Sequence, residues 1–439
     1  YYNGCSELEN FIVHAHGGVS RRPGTRFISE VKSSAASTRL VKFQFSVTQA
    51  YVLEFGNNYF RVFKDGGQIT SGSPAAPVEV STSYTTAQLF DIKFAQSADV
   101  MYVVHNSHVV RKISRTSDTA WTITNVDFKR GPFMDTNSGT TTLTANNRTG
   151  SSITISASAA TDINGGSGFI ATDVGRLVKL HHGYAKITAV ASTTSVTATA
   201  QENDDFLAEL EPIYVAGTIS FKEGDPDSTG LEHNDRILDS AKQFQKQGFK
   251  DGMEVTISGT SSNNKDVLIV KVTEDTLIVS PSDDLADEAA GSGHTISGKL
   301  AADDKFALGA FSETTGFPSC IAFYEERLTF AATLSQPQTL FFSVGGSFED
   351  FASGDKDDSA LTYTIGSNEI NVIRYLSSSR SLLVGTQASE FAVRASGTDE
   401  PITPTNAQIK QQSAHGSSEV EPVKVGHTVL FVQRAGLKV

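Results

Sequence analysis

Cysteine is nearly absent from this 439-residue chain. Cys5 and Cys320 are the only two, too few for a disulfide framework or a thiolate metal cluster, as expected of a protein that assembles in a reducing cytosol. No run of about 18 apolar residues occurs, so no membrane-spanning helix is expected. The opening YYNGCSELEN lacks the basic-then-apolar plan of a secretory signal, which predicts a soluble protein that is not exported. Positive charge is short too: 36 Lys and Arg stand against 49 Asp and Glu, a net charge of −13. Tight DNA or RNA binding needs clustered Lys and Arg to neutralise phosphates, and no cluster here exceeds Arg21, Arg22 and Arg26. The chain begins without an initiator methionine and stops inside an apparent hairpin, GHTVLFVQRAGLKV, so a piece of a longer polypeptide is expected and any domain count is a minimum.

What is present points to a folded, mainly β protein. Hydrophobic and charged fractions of 38% and 19% are globular values. Short runs of valine and aromatics are split by Gly, Asn, Asp and Pro, the pattern of many short strands joined by tight turns. The length predicts two to four domains. The acidic excess is local. Residues 201–305 hold 22 acidic against 9 basic side chains, so this one segment carries the whole imbalance. A solvated acidic face explains it, as does a wall past which a polyanion slides.

Strands of one type recur: YVLEF at Tyr51, MYVVH at Met101, LTFAA at Leu328, LLVGT at Leu382 and VLFVQ at Val429, with starts 50, 227, 54 and 47 residues apart. Each is followed by a second strand (YFRVF, HVVRKI, TLFFS, SEFAVRA, and the short GLKV), and most are preceded by another, such as KFQFS, DIKFA, CIAFY or NVIRY. A period near 50 with three or four strands per unit is the signature of propeller blades, whose sheets must stack to cover their faces. Five partial blades are expected, and a β-sandwich of consecutive hairpins remains the alternative. The long step marks an insertion near 137–300. Its first part, 137–217, alternates as a small barrel or sandwich with Asp173-Val174-Gly175 at a turn. Its second part, 218–300, is read as strands around one short helix, SAKQFQKQG, capped by Ser240 and stopped by Gly248. First blades at 40–136 and further blades at 301–439 complete the plan.

The motifs of catalysis and ligand binding fail one after another. GHTISGK at Gly293–Lys299 has phosphate-loop spacing but puts Leu300 where the Mg²⁺-binding hydroxyl belongs. DPDSTG at Asp225–Gly230 starts like a calcium loop, yet Thr229 and Arg236 stand at ligand positions. His14 and His16 fall on one side of a strand without carboxylates or thiols nearby, and His181 and His182 point to opposite faces. Glu325-Glu326 and Asp357-Asp358 are adjacent pairs that diverge in a strand, wrong for flanking one bond, and Glu325 with Arg327 reads as a structural ion pair. The sequon at Asn147 has meaning only in a secreted chain. No catalytic constellation, metal site or cofactor is expected.

One stretch stands out, HAHGGVSRRPGTRF at residues 14–27. Gly17-Gly18 permits a turn where a side chain would clash, and Pro23-Gly24 makes another. Arg21, Arg22 and Arg26 offer planar donors to carboxylates, either of a neighbour or of the same subunit. Taken with NFIV before it, the segment resembles the N-terminal signature of the tail tubular protein B, or tail nozzle, family of short-tailed bacteriophages. FQFSVTQAYVLEFGNNYFRVFKDGG, FAQSADVMYVVH, TTGFPSCIAFYEERLTFAAT, EFAVRASG and PVKVGHTVLFVQRAG are similar to such proteins in content and order, so the likeness covers about 1–135 and 306–439.

The resemblance implies an interrupted propeller with an N-terminal platform, 1–39, facing an adaptor. It implies a non-enzymatic virion subunit assembled in the host cytoplasm into a ring of six below the portal and adaptor. That ring continues the DNA channel and holds or releases the genome, which passes without tight binding, and tail fibres or spikes are further partners. Stable membrane insertion is not implied. On this reading Gly17, Gly18, Arg21, Arg22, Pro23 and Arg26 form the subunit or adaptor contact. Later blades and the nozzle tip would follow Val439. The rival reading is a receptor- or glycan-binding β protein whose inserts are recognition modules. It requires clustered aromatics there, yet 137–300 holds no Trp and only Tyr184 and Tyr214 as tyrosines. A hydrolase, with an acid pair assembled by the fold, comes third.

Overall fold

The computed structural model describes residues 5, 7–180, 183–201, 210–225, 230–354, 356–366, 371–397, 400–426 and 428–436. His181, His182, Thr229 and most of the expected final strand GLKV lie outside them. The described chain is mainly β, with no α-helix. Two compact units divide it, one of Tyr1–Phe90, Ser97–Met101 and Ile113–Ile123, the other of Asp91–Gln96, Tyr102–Lys112 and Thr124–Val439.

The first unit opens with a hairpin, β1 (Phe11–Val13) against β2 (Val19–Arg21). A meander follows: β3 (Arg39–Gln44), β4 (Ala50–Gly56), β5 (Tyr59–Lys64) and β6 (Gly67–Gln68), with β9 (Glu79–Ser81) also pairing β5. A two-stranded ribbon, β7 (Thr70–Ser71) and β8 (Ala76–Pro77), precedes β9. Asp65-Gly66, both at positive φ, closes β5 onto β6, the turn that an Asp-Gly pair favours. Phe43, Tyr51 and Phe60 pack edge-on around Trp121, the single tryptophan, with ring centroids 4.8–6.4 Å apart.

The next meander is β10 (Lys93–Ser97), β11 (Val100–His105), β12 (His108–Arg115) and β13 (Trp121–Asn125). The chain then enters a curled six-stranded sheet. It contains β14 (Leu143–Ala145), β15 (Ile153–Ala157), β16 (Leu177–Leu180), β17 (Gly183–Ser192) and β18 (Ser195–Ala200), with β26 (Ala307–Leu308) added on the way out. Leu143 and Asp303 exchange 2.9 Å backbone hydrogen bonds, which draws the sheet toward a half-barrel. Alternation explains its core: Ile153, Ile155, Val196 and Ala198 point in and are buried, while Thr154 and Thr197 between them are not.

The second inserted sheet has seven strands: β19 (Ile213–Val215), β20 (Ile219–Lys222), β21 (Arg236–Asp239), β22 (Glu254–Ser258), β23 (Asp266–Val272), β24 (Thr276–Val279) and β25 (Thr295–Gly298). Its first strand lies before the expected boundary at 217, because Ile213–Val215 pairs with β25. The expected helix at 240–248 is absent. Lys242 adopts a left-handed φ of 57°, and Asp239, not Ser240, accepts the backbone N–H groups of Ala241 and Gln243 at 3.0 and 2.9 Å. A segment this short cannot offset helix nucleation, and burying Phe244 and Phe249 holds it as turns instead.

Two further meanders complete the body: β27 (Cys320–Tyr324), β28 (Arg327–Ala331), β29 (Thr339–Phe342) and β30 (Leu361–Thr364), then β31 (Ile373–Ser378), β32 (Leu382–Thr386), β33 (Glu390–Ala395) and β34 (Ala407–Ser413). These two sheets share one core that includes Tyr324, Phe342, Ile373 and Val384. The leading strands of three consecutive meanders meet at one point. Lys93 on β10 donates to Cys320 Sγ on β27 at 3.3 Å and to the Arg374 carbonyl on β31. Convergence of first strands is the arrangement of propeller blades. Only a two-stranded hairpin, β35 (Val423–Val425) and β36 (Thr428–Leu430), stands among the described residues where a fifth blade was expected.

Candidate assembly surface

The Gly/Arg stretch folds as the β1–β2 hairpin. Phe11 pairs with Arg21 and Val13 with Val19, and His14 through Gly18 form the turn, closed by His14 N–H donating to Gly18 O and Gly17 N–H to His14 O, each at 3.1 Å. Gly17 and Gly18 sit at φ of 91° and 85°, a region that favours glycine, so the pair is required where the chain reverses. His14 and His16 therefore do not share a strand face: His16 is in the turn, and His14 Nε2 is 2.9 Å from Ser20 Oγ. The two-fold strand periodicity expected there gives way to a reversal that both glycines permit.

Arg21, Arg22, Pro23 and Arg26 are all exposed. Among the described residues the three guanidiniums form no ion pair. The hairpin's apolar side chains are also uncovered: Phe11, Ile12, Val13 and Val19 keep 47–67% of their surface. Downstream, Lys32 bonds Glu79 and lies 4.8 Å from the centroid of the Tyr59 ring. Tyr59 donates to the buried Glu54 at 2.7 Å, and burial together with that bond pushes its phenol up to about 12.

Elsewhere polar groups tie elements together. Arg176 and Asp173, both buried, form a 2.8 Å ion pair at the base of the first inserted sheet. Arg176 also donates to Gly309 O and Asn164 Oδ1 at 2.8 Å each, and Thr314 donates to Asp173 at 2.8 Å, so the pair joins the insert to the strand leaving it. The sequence showed only an acid and a base three residues apart. Glu325 and Glu326 are not in a strand; they form the left-handed two-residue turn between β27 and β28, at φ of 46° and 58°. The expected Glu325–Arg327 ion pair is replaced. Arg327 donates to the carbonyls of Ser343, Asp357, Asp358 and Ser359, and Glu325 accepts the Ile402 N–H at 2.6 Å, because the turn carries the carboxylate away from a guanidinium enclosed by main chain. The G-x-x-x-x-G-K stretch contains strand β25, and its Lys299 pairs with Glu254 and Asp266 at 2.6 and 2.9 Å.

Asp118, Asp162 and Glu288 are held toward the ionised state. Hydrogen bonds from Tyr51 and Lys64 hold Asp118 low, as Thr141 holds Asp162, and Ser261 and Asn263 help hold Glu288. In the inserts, Tyr184 is buried and Tyr214 half-buried with its hydroxyl 3.1 Å from Asp239, so neither offers an open face for sugar stacking. His105 and His108, at the β11–β12 turn, have ring centroids 5.0 Å apart, and burial pushes both below the usual histidine value.

No protein-family model matches the chain, and no curated protein matches it. Among solved structures the chain is similar to the phage phi92 endosialidase, at 12% identity and a TM-score of 0.18 over 80% of this chain and 64% of that one. The chain thus spans less than two thirds of that protein's length.

Proposed function

We propose that this chain is a non-enzymatic structural subunit of a bacteriophage tail nozzle, assembled in the host cytoplasm and resident in the virion. Copies close into a ring, six in the family it resembles, below the portal and adaptor, and the ring continues the DNA channel. The propeller-like meanders are the rigid scaffold, and the N-terminal hairpin is the contact to a neighbouring copy or the adaptor. The observation that carries this reading is the hairpin itself. Its turn is built, its apolar faces are uncovered, and its three arginines have no ion partner within the described chain, as in a surface completed by another molecule. A ring needs such a heterologous patch, repeated by rotation until it closes. The net charge of −13 fits a channel that DNA slides through without being held.

The test is the Arg21→Ala, Arg22→Ala double variant. Ring or adaptor association should fall while the far-ultraviolet β spectrum stays unchanged, and unaltered association in a folded variant removes the contact role.

A further inference from the structure

We infer that the N-terminal hairpin of one copy docks on the acidic edge of the second inserted sheet of another copy. This partner assignment rests on the assembly reading above. Among the described residues β1 and β2 pair only with each other, and alternation places Phe11 and Val13 on one face and Ile12 on the other, all about half exposed or more. A two-stranded ribbon is marginal in water by itself, and one that is apolar on both faces needs cover. Charge selects the cover. The arm presents three unpaired guanidiniums, whereas residues 201–305 carry the chain's entire acidic excess.

Within that segment four acidic residues, Glu223, Asp283, Asp284 and Asp287, lie along one edge. Asp287 accepts the Glu223 N–H at 2.8 Å, placing the end of β20 beside the loop that holds Asp283 and Asp284. The bases there are engaged: Lys222 pairs with Asp287 at 2.8 Å, and Lys265 bonds the Asp284 carbonyl. Glu223 and Asp284 are exposed, and neither carboxylate forms an ion pair among the described residues. Bidentate guanidinium–carboxylate pairing at the rim with apolar burial beneath is the composition of a specific contact.

The experiment uses the full chain and follows association by native mass and sedimentation at low and high salt. Arg21→Glu with Arg22→Glu and Arg26→Glu reverses the arm; Glu223→Lys with Asp284→Lys reverses the edge. Each variant alone should need about tenfold or more higher concentration to associate at ~0.1 M salt. An equal mixture should associate as the natural chain does, because every arm then meets an edge of opposite sign. That recovery also shows that both variants are folded. If edge reversal leaves association untouched while arm reversal abolishes it, the arm has another partner, so the inference fails and the assembly reading survives. A natural chain that stays monomeric at every concentration overturns both.

Discussion

Replacing Arg176 with Ala should loosen the first inserted sheet more than any surface change. Arg176 and Asp173 expose 1% and 0% of their side chains. Burial disfavours the guanidinium's charge, and Asp173 beside it opposes that effect. Truncation removes the ion pair together with the bonds to Gly309 O and Asn164, and it leaves the Asp173 carboxylate enclosed with only Thr314, Asn164 and the Ile170 N–H as donors. Losing one partner of a buried pair costs about 3–5 kcal/mol, whereas replacing both with apolar groups of similar volume is often neutral. The double variant Arg176→Met, Asp173→Leu should therefore recover most of the loss, a strongly non-additive result. Because a chain of this size does not unfold in one step, amide exchange of β16 and β17 is the assay, and those amides should lose protection selectively. A single variant costing under about 1 kcal/mol, or strict additivity, would refute the reasoning.

Further tests probe other parts of the fold. His105 and His108 are held below the usual histidine value by burial first; for His105, repulsion from His108 comes second and Asp91 opposes both, while for His108 the charge of Arg111 adds to burial. The unfolded chain then binds more protons below about pH 6.5, so stability should fall as pH drops through that value, and His105→Gln with His108→Gln should flatten the fall. An unchanged pH profile in that variant would remove the histidines as its cause. Gly56→Ala would place a Cβ 2.3 Å from the Tyr59 ring, so a loss of about 1–3 kcal/mol is expected in denaturant titrations followed by Trp121 fluorescence. Gly17→Ala, in contrast, meets no atom within 4 Å, so only its left-handed φ is at stake, and about 1 kcal/mol of local hairpin stability should show in exchange at the β1–β2 amides.

Much of this architecture was legible because β-structure writes itself in alternation and turn residues. The first meander follows from YVLEF and YFRVF around Asn57-Asn58 and from the Asp65-Gly66 turn, signals within a few residues of each other. What escaped was long-range or set by main chain. β26 returns to pair with β16 from beyond residue 300, and β19 joins β25 across some eighty residues of intervening chain, pairings that no local pattern announces. The helix at 240–248 failed because tertiary burial of Phe244 and Phe249 outweighed a weak local propensity. In the hairpin, Gly17-Gly18 marked the reversal, but the strand pattern placed His14 and His16 as though none occurred. The Asp173–Arg176 clasp was invisible because Gly309, whose carbonyl accepts from Arg176, and Thr314, which donates to Asp173, both lie more than a hundred residues away.

The central claim, that this chain works by closing on copies of itself through its N-terminal arm, is tested most directly by native mass of the purified full chain. A discrete ring of several copies that reverts to monomer when residues 1–39 are removed is the predicted result. A full-length monomer at all concentrations, or a ring indifferent to loss of the arm, would contradict it.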